Sequence, residues 1–434
     1  MSTQSHFVPD PIHGTIELPN WLVQIIHEPA IRRMMFIRQL GLKAYIDFPG
    51  AIHTRYSHAL GTMHLSGKMI EMLCNKMRDK GMNIISDNLQ NNKNNVMAAA
   101  FLHDVAHGPF SHVMDFVMRK ISGKTHEELA ENIILKVLPA ELENWGITKN
   151  SLVQLIKGSH EHQFLRQIIN GPLDADKLDY LLRDAHHVGY RYSFDLDHFL
   201  RSYTILGEEK DMTKCVLGLD SSQQAIVTAE LFLVIWRSMY DLVYHVEGSR
   251  ICEKMLEKAM LLCKDDSAIR NTFDIQGFLD LDDEKLLSLL RNSKCNIKRL
   301  LAVRESGRMY TKVSQKELKE SEFKMTTPFL SMLRKDPDEL SDKLSLQLNR
   351  CLNKAKYTVI CDIVRSRTPE QICLDEIGKD GQEVELSTKS KLVGAIQPIN
   401  VLKVYVEPTV AKELKKDKID NRVGELVEGG LNLG

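Results

Sequence analysis

The sequence lacks an excess of charge of either sign. Its 434 residues include 57 lysines and arginines against 58 aspartates and glutamates, which gives a formal net charge of −1. Such a balance provides no global basic field for a nucleic acid and no acidic tail. Binding to nucleic acid is therefore possible only through a local cluster, and the composition does not indicate it.

The sequence also lacks long apolar runs and closely spaced cysteines. No apolar run approaches the roughly 20 residues that span a bilayer, so we expect no membrane association. The eight cysteines are scattered without a Cys-x-x-Cys pair, which argues against a zinc ribbon or a disulfide framework. No secretory leader precedes them. We therefore expect an intracellular, cytoplasmic protein, and a nuclear location stays open.

The length and the apolar periodicity favour a mainly α protein with two parts. A chain of this length can bury two cores. Helical spacing dominates up to about residue 265, whereas short helices and strand-like runs at 357–364 and 401–406 follow. We predict a helical core over residues 1–265. A smaller α+β lobe over 266–434 would serve oligomerisation or regulation.

Turn residues and capping signals divide the predicted core into segments. Residues 6–18 are turn-rich and then extended, which predicts a short hairpin. Proline at the first turn predicts a helix over 29–40, and a longer helix follows over 57–80. The Asn-rich residues 81–95 predict an exposed loop. A long apolar stretch over 225–263 predicts a single spine helix.

The central stretch joins a buried helix to metal-competent side chains. Apolar spacing predicts a helix over 96–107, which a Gly-Pro pair ends. His103, Asp104 and His107 lie near that end, and His112 follows the break. A carboxylate in an apolar helix is costly to bury unless it is paired or bound to a metal. Satisfied core histidines are the alternative, which four polar residues within ten positions disfavour.

A second polar cluster opens a helix further along the chain. Asp176, Tyr180 and Asp184 are spaced by four residues and share one helical face, with Lys177 beside them. Most charge runs are solvated faces, but leucines between these positions imply packing on the other side. We therefore expect the cluster to face the protein interior rather than solvent alone.

Four of these residues form a ligand set. His58, His103, Asp104 and Asp176 come from three predicted helices, and two imidazoles with two carboxylates suit a hydrolytic divalent ion with open positions. Seven of the sixteen histidines lie in residues 53–126, less than a fifth of the chain. Packing alone does not explain that concentration.

The ordered set resembles the HD-domain phosphohydrolases. It is more closely similar to their deoxynucleoside triphosphate triphosphohydrolase (dNTPase) branch, which includes bacterial dNTPases and an animal enzyme that joins a sterile-alpha-motif domain to this core. The similarity extends from Asp10 to about Tyr244. It rests on the motifs Arg55-Tyr-Ser-His58, His103-Asp104-Val-Ala-His107-Gly-Pro-Phe-Ser-His112 and Asp174-Ala-Asp176-Lys177-Leu-Asp179-Tyr180.

The resemblance implies a metal-dependent hydrolysis of dNTPs. Water would attack the α-phosphorus, and the products would be deoxynucleoside and inorganic triphosphate. A divalent ion (Mn, Mg, Fe or Zn) would be held by His58, His103, Asp104 and Asp176. His112 would be the acid that protonates the leaving oxygen, and the other implied catalytic residues, aligned on the reacting phosphate, are His107 and His126.

The resemblance also implies residues for substrate binding. Those that would neutralise the triphosphate are Arg55, Lys177 and Arg237. Those that would read the 3′-OH are Gln39 and Asp184. Those that would close over the sugar and exclude a 2′-OH are Tyr180 and Tyr244.

Partners and regulation are implied as well. The family leads us to expect a homo-oligomer, a dimer or a tetramer, and a possible nucleotide effector. In the animal relative an acidic residue, a Gln and an Arg read a guanine nucleotide, whereas the corresponding positions here are His27, Arg32 and Met35. The carboxylate that would pair with guanine is missing. We therefore predict that activation by GTP in the same manner is weakened or absent.

Two other functions stay open at this point. One is an HD phosphodiesterase or nucleotidase that acts on another phosphoester. The other is a nucleic-acid-binding regulatory oligomer with a vestigial site. Lys177, Tyr180 and Gln39 favour a triphosphate on a deoxyribose, and the near-neutral charge and the intact ligand set disfavour the binding protein.

Overall fold

The computed structural model describes most of the chain and divides it into two compact units. The described residues are 6–293, 310–319, 327–365, 371–377, 383–396, 399–414 and 416–428. The first unit is formed by Met1–Val243, Arg270–Ser288 and Pro369–Ile396, and the second by Tyr244–Ile269, Leu289–Thr368 and Gln397–Gly434. The first unit thus draws on both sides of residue 265. The functional boundary that we predicted there stays a prediction.

The first unit is mainly helical, as predicted. Its two longest helices pack against each other. None of the helices in the described ranges is long and apolar enough to cross a membrane. The α-helices are Asn20–Ile25, Pro29–Arg32, Lys43–Ile46, Arg55–Asp79, Asn83–Leu102, His112–Ser122, His126–Lys136, Lys149–Ile156, Gln163–Gln167, Ala175–Val188, Leu196–Ser202, Gln223–Met239, Ile275–Leu279, Asp283–Asn292 (which continues into the second unit), Leu386–Lys389 and Lys391–Gly394.

Shorter elements complete the first unit. A 4-stranded sheet has the order Tyr203–Leu206, Val216–Leu219, Cys373–Ile377, Glu383–Glu385. The 3-10 turns are Arg33–Phe36, Ala140–Trp145, Glu209–Lys214 and Asn271–Phe273. The predicted hairpin is confirmed as an antiparallel pair of strands, His6–Asp10 and Gly14–Leu18. In its turn, the Asp10 carboxylate accepts hydrogen bonds from the backbone N–H groups of Ile12 and His13.

Capping residues fix the starts of two helices. Thr54 and Ser57 exchange side-chain and backbone hydrogen bonds at the start of helix Arg55–Asp79, a capping box. Asp174 caps helix Ala175–Val188, because its carboxylate accepts the N–H of Lys177 at 2.6 Å. Both helices therefore begin directly before predicted site residues.

Two predictions around the central stretch were wrong: the exposed loop over 81–95 and the end of the next helix at residue 107. From Asn83 onward the stretch predicted as a loop is part of helix Asn83–Leu102, because Ile85 and Leu89 bury an apolar stripe that outweighs the weak helix propensity of asparagine. Asn95 adds to this, since its side chain bonds to the backbone of Gly146 and Thr148. The helix then ends at Leu102, so the predicted extension to 107 is not formed.

Two other predicted helices are interrupted. The helix predicted over 29–40 is α-helical only over Pro29–Arg32, continues as the 3-10 turn Arg33–Phe36, and gives way to extended backbone at Ile37. The predicted spine helix over 225–263 is divided by a π-helical turn at Tyr240–Tyr244. Periodicity does not register such changes in winding.

The second unit is an α+β lobe, and its two predicted strands are confirmed. Its 3-stranded antiparallel sheet has the order Thr311–Glu317, Asn400–Val406, Val359–Arg365. Buried leucines of helix Pro337–Cys351 pack on this sheet. The other helices are Glu247–Leu262, Ser267–Arg270, Thr327–Lys335, Pro408–Ala411 and Lys416–Glu428.

A row of buried cations lies on helix Glu247–Leu262 in the second unit. Arg250 Nη2 is 2.9 Å from Asp362 Oδ1 and Lys254 Nζ is 2.6 Å from Asp338 Oδ1. Lys258 Nζ, fully buried, lies 2.6 Å from Glu257 Oε1 and 2.8 Å from Asp342 Oδ1. These pairs join the helix to helix Pro337–Cys351 and to the sheet. Asp362, Glu257 and Asp342 have little access to water and therefore need these cations, whereas Asp338 is 40% exposed.

We expect Lys258→Ala to destabilise the protein by about 3–5 kcal/mol, because it removes the cation that pairs with the buried carboxylate of Asp342 and one of the two lysines that pair with Glu257. The measurement is chemical denaturation followed by circular dichroism. Lys264→Ala, which removes an exposed lysine just after the same helix, is the control and should change stability little. Equal stabilities of the two variants would contradict the structural role of the buried pairs.

Candidate metal centre

Three side chains from separate segments converge in the first unit. His58 lies on helix Arg55–Asp79, His103 directly follows a long buried helix, and Asp176 lies in the first turn of helix Ala175–Val188. Asp176 Oδ1 is 3.0 Å from His58 Nε2 and 3.5 Å from His103 Nε2. Because one ligand atom of each residue lies within 4.8 Å of the other two, the group can hold a divalent metal ion.

The hydrogen bonds of the two histidines favour metal binding. His58 Nδ1 donates to Asp179 Oδ2 and His103 Nδ1 donates to the Ala100 carbonyl oxygen, both at 2.8 Å. These bonds leave each Nε2 directed toward Asp176. His103 Nε2 is buried, and within the described ranges nothing forms a hydrogen bond with it. Outer partners that fix Nδ1 in this way are typical of metal-binding histidines.

The three groups hold one another in charged forms. Burial alone would lower the pKa of His58, but the carboxylates of Asp176 and Asp179 raise it to about 10. Burial likewise opposes a charged His103, whose pKa the carboxylates of Asp104 and Asp176 raise. Despite desolvation, the two histidines keep the pKa of Asp176 well below its usual range. An ion entering the group would take the place of the protons on the two Nε2 atoms.

Asp104, the fourth predicted ligand, lies beside these three. Its Oδ1 is 3.3 Å from His103 Nε2, and its Oδ2 is 3.7 Å from His58 Nε2. Arg55 Nη1 donates to that Oδ2 at 2.5 Å, and the Arg55 Nη2 donates to Ser111 Oγ at 2.7 Å. Although burial opposes it, the Arg55 charge holds the pKa of Asp104 well below its usual range. Arg55, predicted to bind triphosphate, thus lies within the metal centre.

Asp179, to which the sequence analysis assigned no role, accepts hydrogen bonds from several side chains beneath the metal centre. Besides the His58 bond, it accepts His13 Nε2 at 2.6 Å and two nitrogens of Arg183 at 2.8 and 2.9 Å. Arg183 in turn donates to Asp10 Oδ2 at 2.7 Å. Asp179 and Arg183 are fully buried. The N-terminal hairpin, through Asp10 and His13, therefore supports a candidate metal ligand.

Gly61 makes this arrangement possible. It lies nearly one turn after His58, and a Cβ at its position would be 1.8 Å from Asp179 Oδ1 and 2.4 Å from Arg183 Nη2. Any side chain there would displace the carboxylate that orients His58. A helical spacing signal existed for Asp179 and Arg183, which are four residues apart, but nothing in the local sequence indicated their partners on the hairpin.

The three predicted catalytic histidines lie together next to Asp104. The His107 ring stacks on the His126 ring with centroids 5.0 Å apart, and it meets the His112 ring edge-on at 6.3 Å. His107 Nε2 is 3.2 Å from Asp104 Oδ1, and Nδ1 is 3.2 Å from Asp115 Oδ2. Against the effect of burial, the Asp115 and Asp104 charges raise the pKa of His107 to about 9.

His112 differs from His107 in both position and charge. It is the exposed first residue of helix His112–Ser122, directly after the left-handed residues Phe110 (φ +54°) and Ser111 (φ +49°). Although part of the residue is exposed, desolvation of its ring by the surrounding protein lowers the pKa of His112, as do the positive charges of His107 and Arg55, whereas the Asp115 charge opposes this shift. A helix N-terminus acts in the same direction as the desolvation.

Gln39 and Asp184, the two residues predicted to bind the 3′-OH of the sugar, lie next to His53. Asp184 Oδ1 accepts a hydrogen bond from His53 Nε2 at 2.7 Å, and the Gln39 backbone N–H donates to the His53 carbonyl oxygen at 3.0 Å. Gln39 Oε1 is buried, and no donor from the described residues reaches it. The Tyr180 ring lies edge-on to the His58 ring, with centroids 6.5 Å apart. His53 thus links two residues that the sequence analysis had placed together only by resemblance.

Two predicted substrate residues, Lys177 and Arg237, form local contacts, and a third, Tyr244, lies at the boundary of the two units. Lys177 Nζ donates to the Gly171 carbonyl oxygen at 2.7 Å and to Asp174 Oδ2 at 2.9 Å. Arg237 Nε donates to Asp241 Oδ2 at 3.0 Å, one turn along the chain. Tyr244 ends the π-helical turn and begins the second unit. These contacts do not involve the metal centre, so the substrate roles of the three residues stay predictions.

We expect Asp179→Asn to weaken metal affinity by about 10- to 100-fold, because an amide cannot accept all the hydrogen bonds that orient His58, His13 and Arg183. The measurement is titration with Mn²⁺ and Zn²⁺ against a chelator of known affinity, with circular dichroism to verify folding. Asp197→Asn, at an exposed aspartate that pairs only with Lys68 among the described residues, is the control. Equal affinities in a folded Asp179→Asn protein would contradict this role.

Comparison with known proteins agrees with the geometry. A model of the HD domain matches residues 55–184, a range that includes His58, His103 and Asp176. A model of the HD associated region matches residues 209–421. The metal centre therefore lies in a segment that matches the HD domain as a whole.

Similar proteins cover most of the chain. The uncharacterized protein MJ1154 of Methanocaldococcus jannaschii is 27% identical over 96% of this chain and 83% of its own. The deoxynucleoside triphosphate triphosphohydrolase SAMHD1 of Mus musculus is 31% identical over 65% of this chain, and that of Homo sapiens is 31% identical over 48%. These matches span 50% and 37% of the two SAMHD1 proteins.

A solved structure has the same fold. The crystal structure of a hypothetical protein from Aquifex aeolicus superposes with a TM-score of 0.72 over 94% of this chain and 98% of that one. The two sequences are 24% identical.

Proposed function

This chain belongs to an HD-domain, dNTPase-like family, and we propose that it hydrolyses dNTPs to deoxynucleoside and inorganic triphosphate, with water attacking the α-phosphorus. The observation that carries the proposal is the His58, His103 and Asp176 group with Asp104 beside it. The named activity of relatives that are 31% identical supports dNTPs as the substrate class.

The metal centre supplies the electrophilic part of the reaction. A divalent ion bound there would polarise a phosphoryl oxygen and lower the pKa of water. His58 and His103 present Nε2 to it because their Nδ1 atoms are engaged elsewhere. Arg55 bonds to Asp104 and Ser111, and a triphosphate would offer this guanidinium further anionic oxygens. Arg55 would then link the ligand set to the substrate.

The histidine cluster provides the proton for the leaving group. His112 would protonate the 5′ oxygen, which requires a protonated ring. Its pKa is lowered in the present state, and the negative charges of a bound triphosphate would raise it toward the useful range. His107, held between Asp104 and Asp115, would stay charged and face the reacting phosphate with His126 stacked on it.

The sugar would be read by Gln39 and Asp184. Gln39 Oε1 is a buried acceptor that no described residue satisfies, and His53 fixes the carboxylate of Asp184. A 3′-OH could donate to either group. Tyr180 and Tyr244 would close over the sugar and exclude a 2′-OH, while Lys177 and Arg237 would neutralise the triphosphate.

The test is incubation of the purified protein with Mn²⁺ or Mg²⁺ and each dNTP, singly and as a mixture, with products resolved by chromatography. We expect deoxynucleoside and intact triphosphate. We expect His103→Ala to lower kcat by about 100-fold or more, because loss of a ligand removes several kcal/mol of transition-state stabilisation. His198→Ala, at an exposed histidine, is the control.

The products distinguish the alternatives. Monophosphate or free phosphate would favour an HD phosphodiesterase or nucleotidase, and turnover of the mixture alone would indicate a dNTP-filled effector site. No turnover in any mixture, with nucleic acid bound, would favour the regulatory oligomer. With His27, Arg32 and Met35 in place of the guanine-reading residues, added GTP should change the rate little.

We also propose that the protein is a homo-oligomer. Val227, Leu231 and Val234 share one face of helix Gln223–Met239 and are 49%, 41% and 41% exposed. A row of exposed aliphatic side chains on one helix is typical of a contact between subunits. The named relatives support the expectation only at the level of the family.

We expect Leu231→Glu to reduce the molar mass measured by light scattering, because a carboxylate would be buried unpaired in the contact. Leu135→Glu places the same change at an exposed leucine on another helix and serves as the control. Equal masses for both variants and the unmodified oligomer would place the contact elsewhere, and a monomeric unmodified protein would contradict the proposal.

A further inference from the structure

Asp283 is a buried carboxylate that the proposed chemistry does not use. It opens helix Asp283–Asn292 and is 2% exposed. Its Oδ1 accepts the backbone N–H of Phe110 at 3.1 Å, and its Oδ2 accepts the backbone N–H of Arg38 at 3.0 Å. One side chain thus joins two backbone segments that are far apart in the sequence.

The first of these segments carries residues of the candidate site. Arg38 forms a β-bridge with Thr54. On either side of it, the Gln39 N–H donates to the His53 carbonyl oxygen and the Arg55 N–H donates to the Ile37 carbonyl oxygen, both at 3.0 Å. The position of the Arg38 backbone therefore sets the positions of Gln39, of His53 and of the start of the helix that bears Arg55 and His58.

The second segment is the turn before His112. Phe110 and Ser111 both have positive φ, a conformation that is unfavourable for residues other than glycine. A residue keeps such a strained conformation only where contacts with the surrounding structure impose it. Ser111 Oγ accepts two hydrogen bonds from Arg55, and the Asp283 bond to Phe110 N–H lies one residue earlier. The Asp283 carboxylate is thus one of the contacts that hold this strained turn.

Arg33, five residues before Arg38, contacts the beginning of the loop that ends at His112. Arg33 Nη1 donates to the carbonyl oxygens of Val105 and His107 at 3.1 and 3.0 Å. Its guanidinium lies 4.1 Å from the ring centroid of Phe278, which precedes Asp283 by five residues. The loop between His103 and His112 is therefore bonded directly to Asp283 at Phe110, and at Val105 and His107 it is bonded to Arg33, which packs on Phe278.

We propose that Asp283 is a positioning residue for the candidate site: by accepting the N–H groups of Arg38 and Phe110, it fixes the segment that carries Gln39 and Arg55 against the turn that carries Ser111 and His112. The catalytic part of this inference rests on the proposed function. Asp283 itself touches neither a candidate ligand nor a predicted substrate residue through its side-chain hydrogen bonds.

The electrostatics of Asp283 argue against a purely stabilising role. Burial raises the pKa of Asp283 to about 6, with Asp282 acting in the same direction and the two backbone N–H groups and Arg38 opposing. Because this pKa lies above that of the unfolded chain, the folded state binds more protons between about pH 4 and 6, and stability contributed by Asp283 falls as the pH rises through that range. At neutral pH the charged group is retained at a cost to stability.

The experiment compares Asp283→Asn with Glu284→Gln, which removes an exposed charge from the same helical turn. An asparagine keeps the shape but has one acceptor oxygen for two N–H groups. Hydrogen–deuterium exchange with mass spectrometry, on peptides that cover 37–39 and 105–112, is read alongside metal content, Tm, kcat and KM. For Asp283→Asn we expect faster exchange in both segments and unchanged metal content. We also expect an unchanged or higher Tm and a kcat lowered by about 10- to 100-fold with little change in KM.

The outcomes separate this inference from the proposed function. Unchanged exchange in both segments would overturn the inference whatever the activity, and faster exchange with unchanged kcat would overturn the positioning role. If the unmodified protein turns over no dNTP but exchange in Asp283→Asn is faster, the proposed function fails and the anchoring of the two segments stands. Should Asp283→Asn not fold, Asp283→Ser, whose small hydroxyl reaches at most one N–H, is read in the same way.

Discussion

The hydrogen bond from His58 Nδ1 to Asp179 is the contact on which the candidate centre depends. It fixes which nitrogen of His58 faces Asp176, and it can form only because Gly61 leaves room for the carboxylate. Asp179 is buried and charged, so it requires Arg183 and His13, and Arg183 requires Asp10. The orientation of His58 thus depends on a network of buried charges that reaches strand His6–Asp10. Each charge in the network requires the opposite charge beside it, because water does not solvate it.

The same physical constraint appears in the second unit, where Arg250, Lys254 and Lys258 point into the protein at a spacing of four residues. In both units a charged helical face is the buried one. The usual rule that charges face water would have oriented these helices wrongly. These charged faces can be buried because a facing helix or strand carries the opposite charges. The facing element lies far away in the sequence.

Local information was sufficient for much of the fold and for the core of the site. The hairpin, the helix that bears His58 and the strands near 360 and 402 followed from periodicity and turn residues. His103 and Asp104 were predicted because a carboxylate next to an imidazole is costly in an apolar helix, and His58 and Asp176 were predicted as the further members of a set of two imidazoles and two carboxylates. The helical state of 81–95 did not, because packing by Ile85 and Leu89 decides it. Nor did the roles of Asp179 and Asp283, whose partners are set by tertiary contacts, or the positive φ of Phe110 and Ser111.

The reach of the N-terminal hairpin into this network has a consequence for biosynthesis. Asp10 and His13 leave the ribosome before His58 and His103, but their partners Asp179 and Arg183 emerge only after both of these candidate ligands. Until then the hairpin has no carboxylate and guanidinium to dock on, and His58 has no acceptor for Nδ1. Assembly of the centre therefore joins two segments that leave the ribosome 166 residues apart.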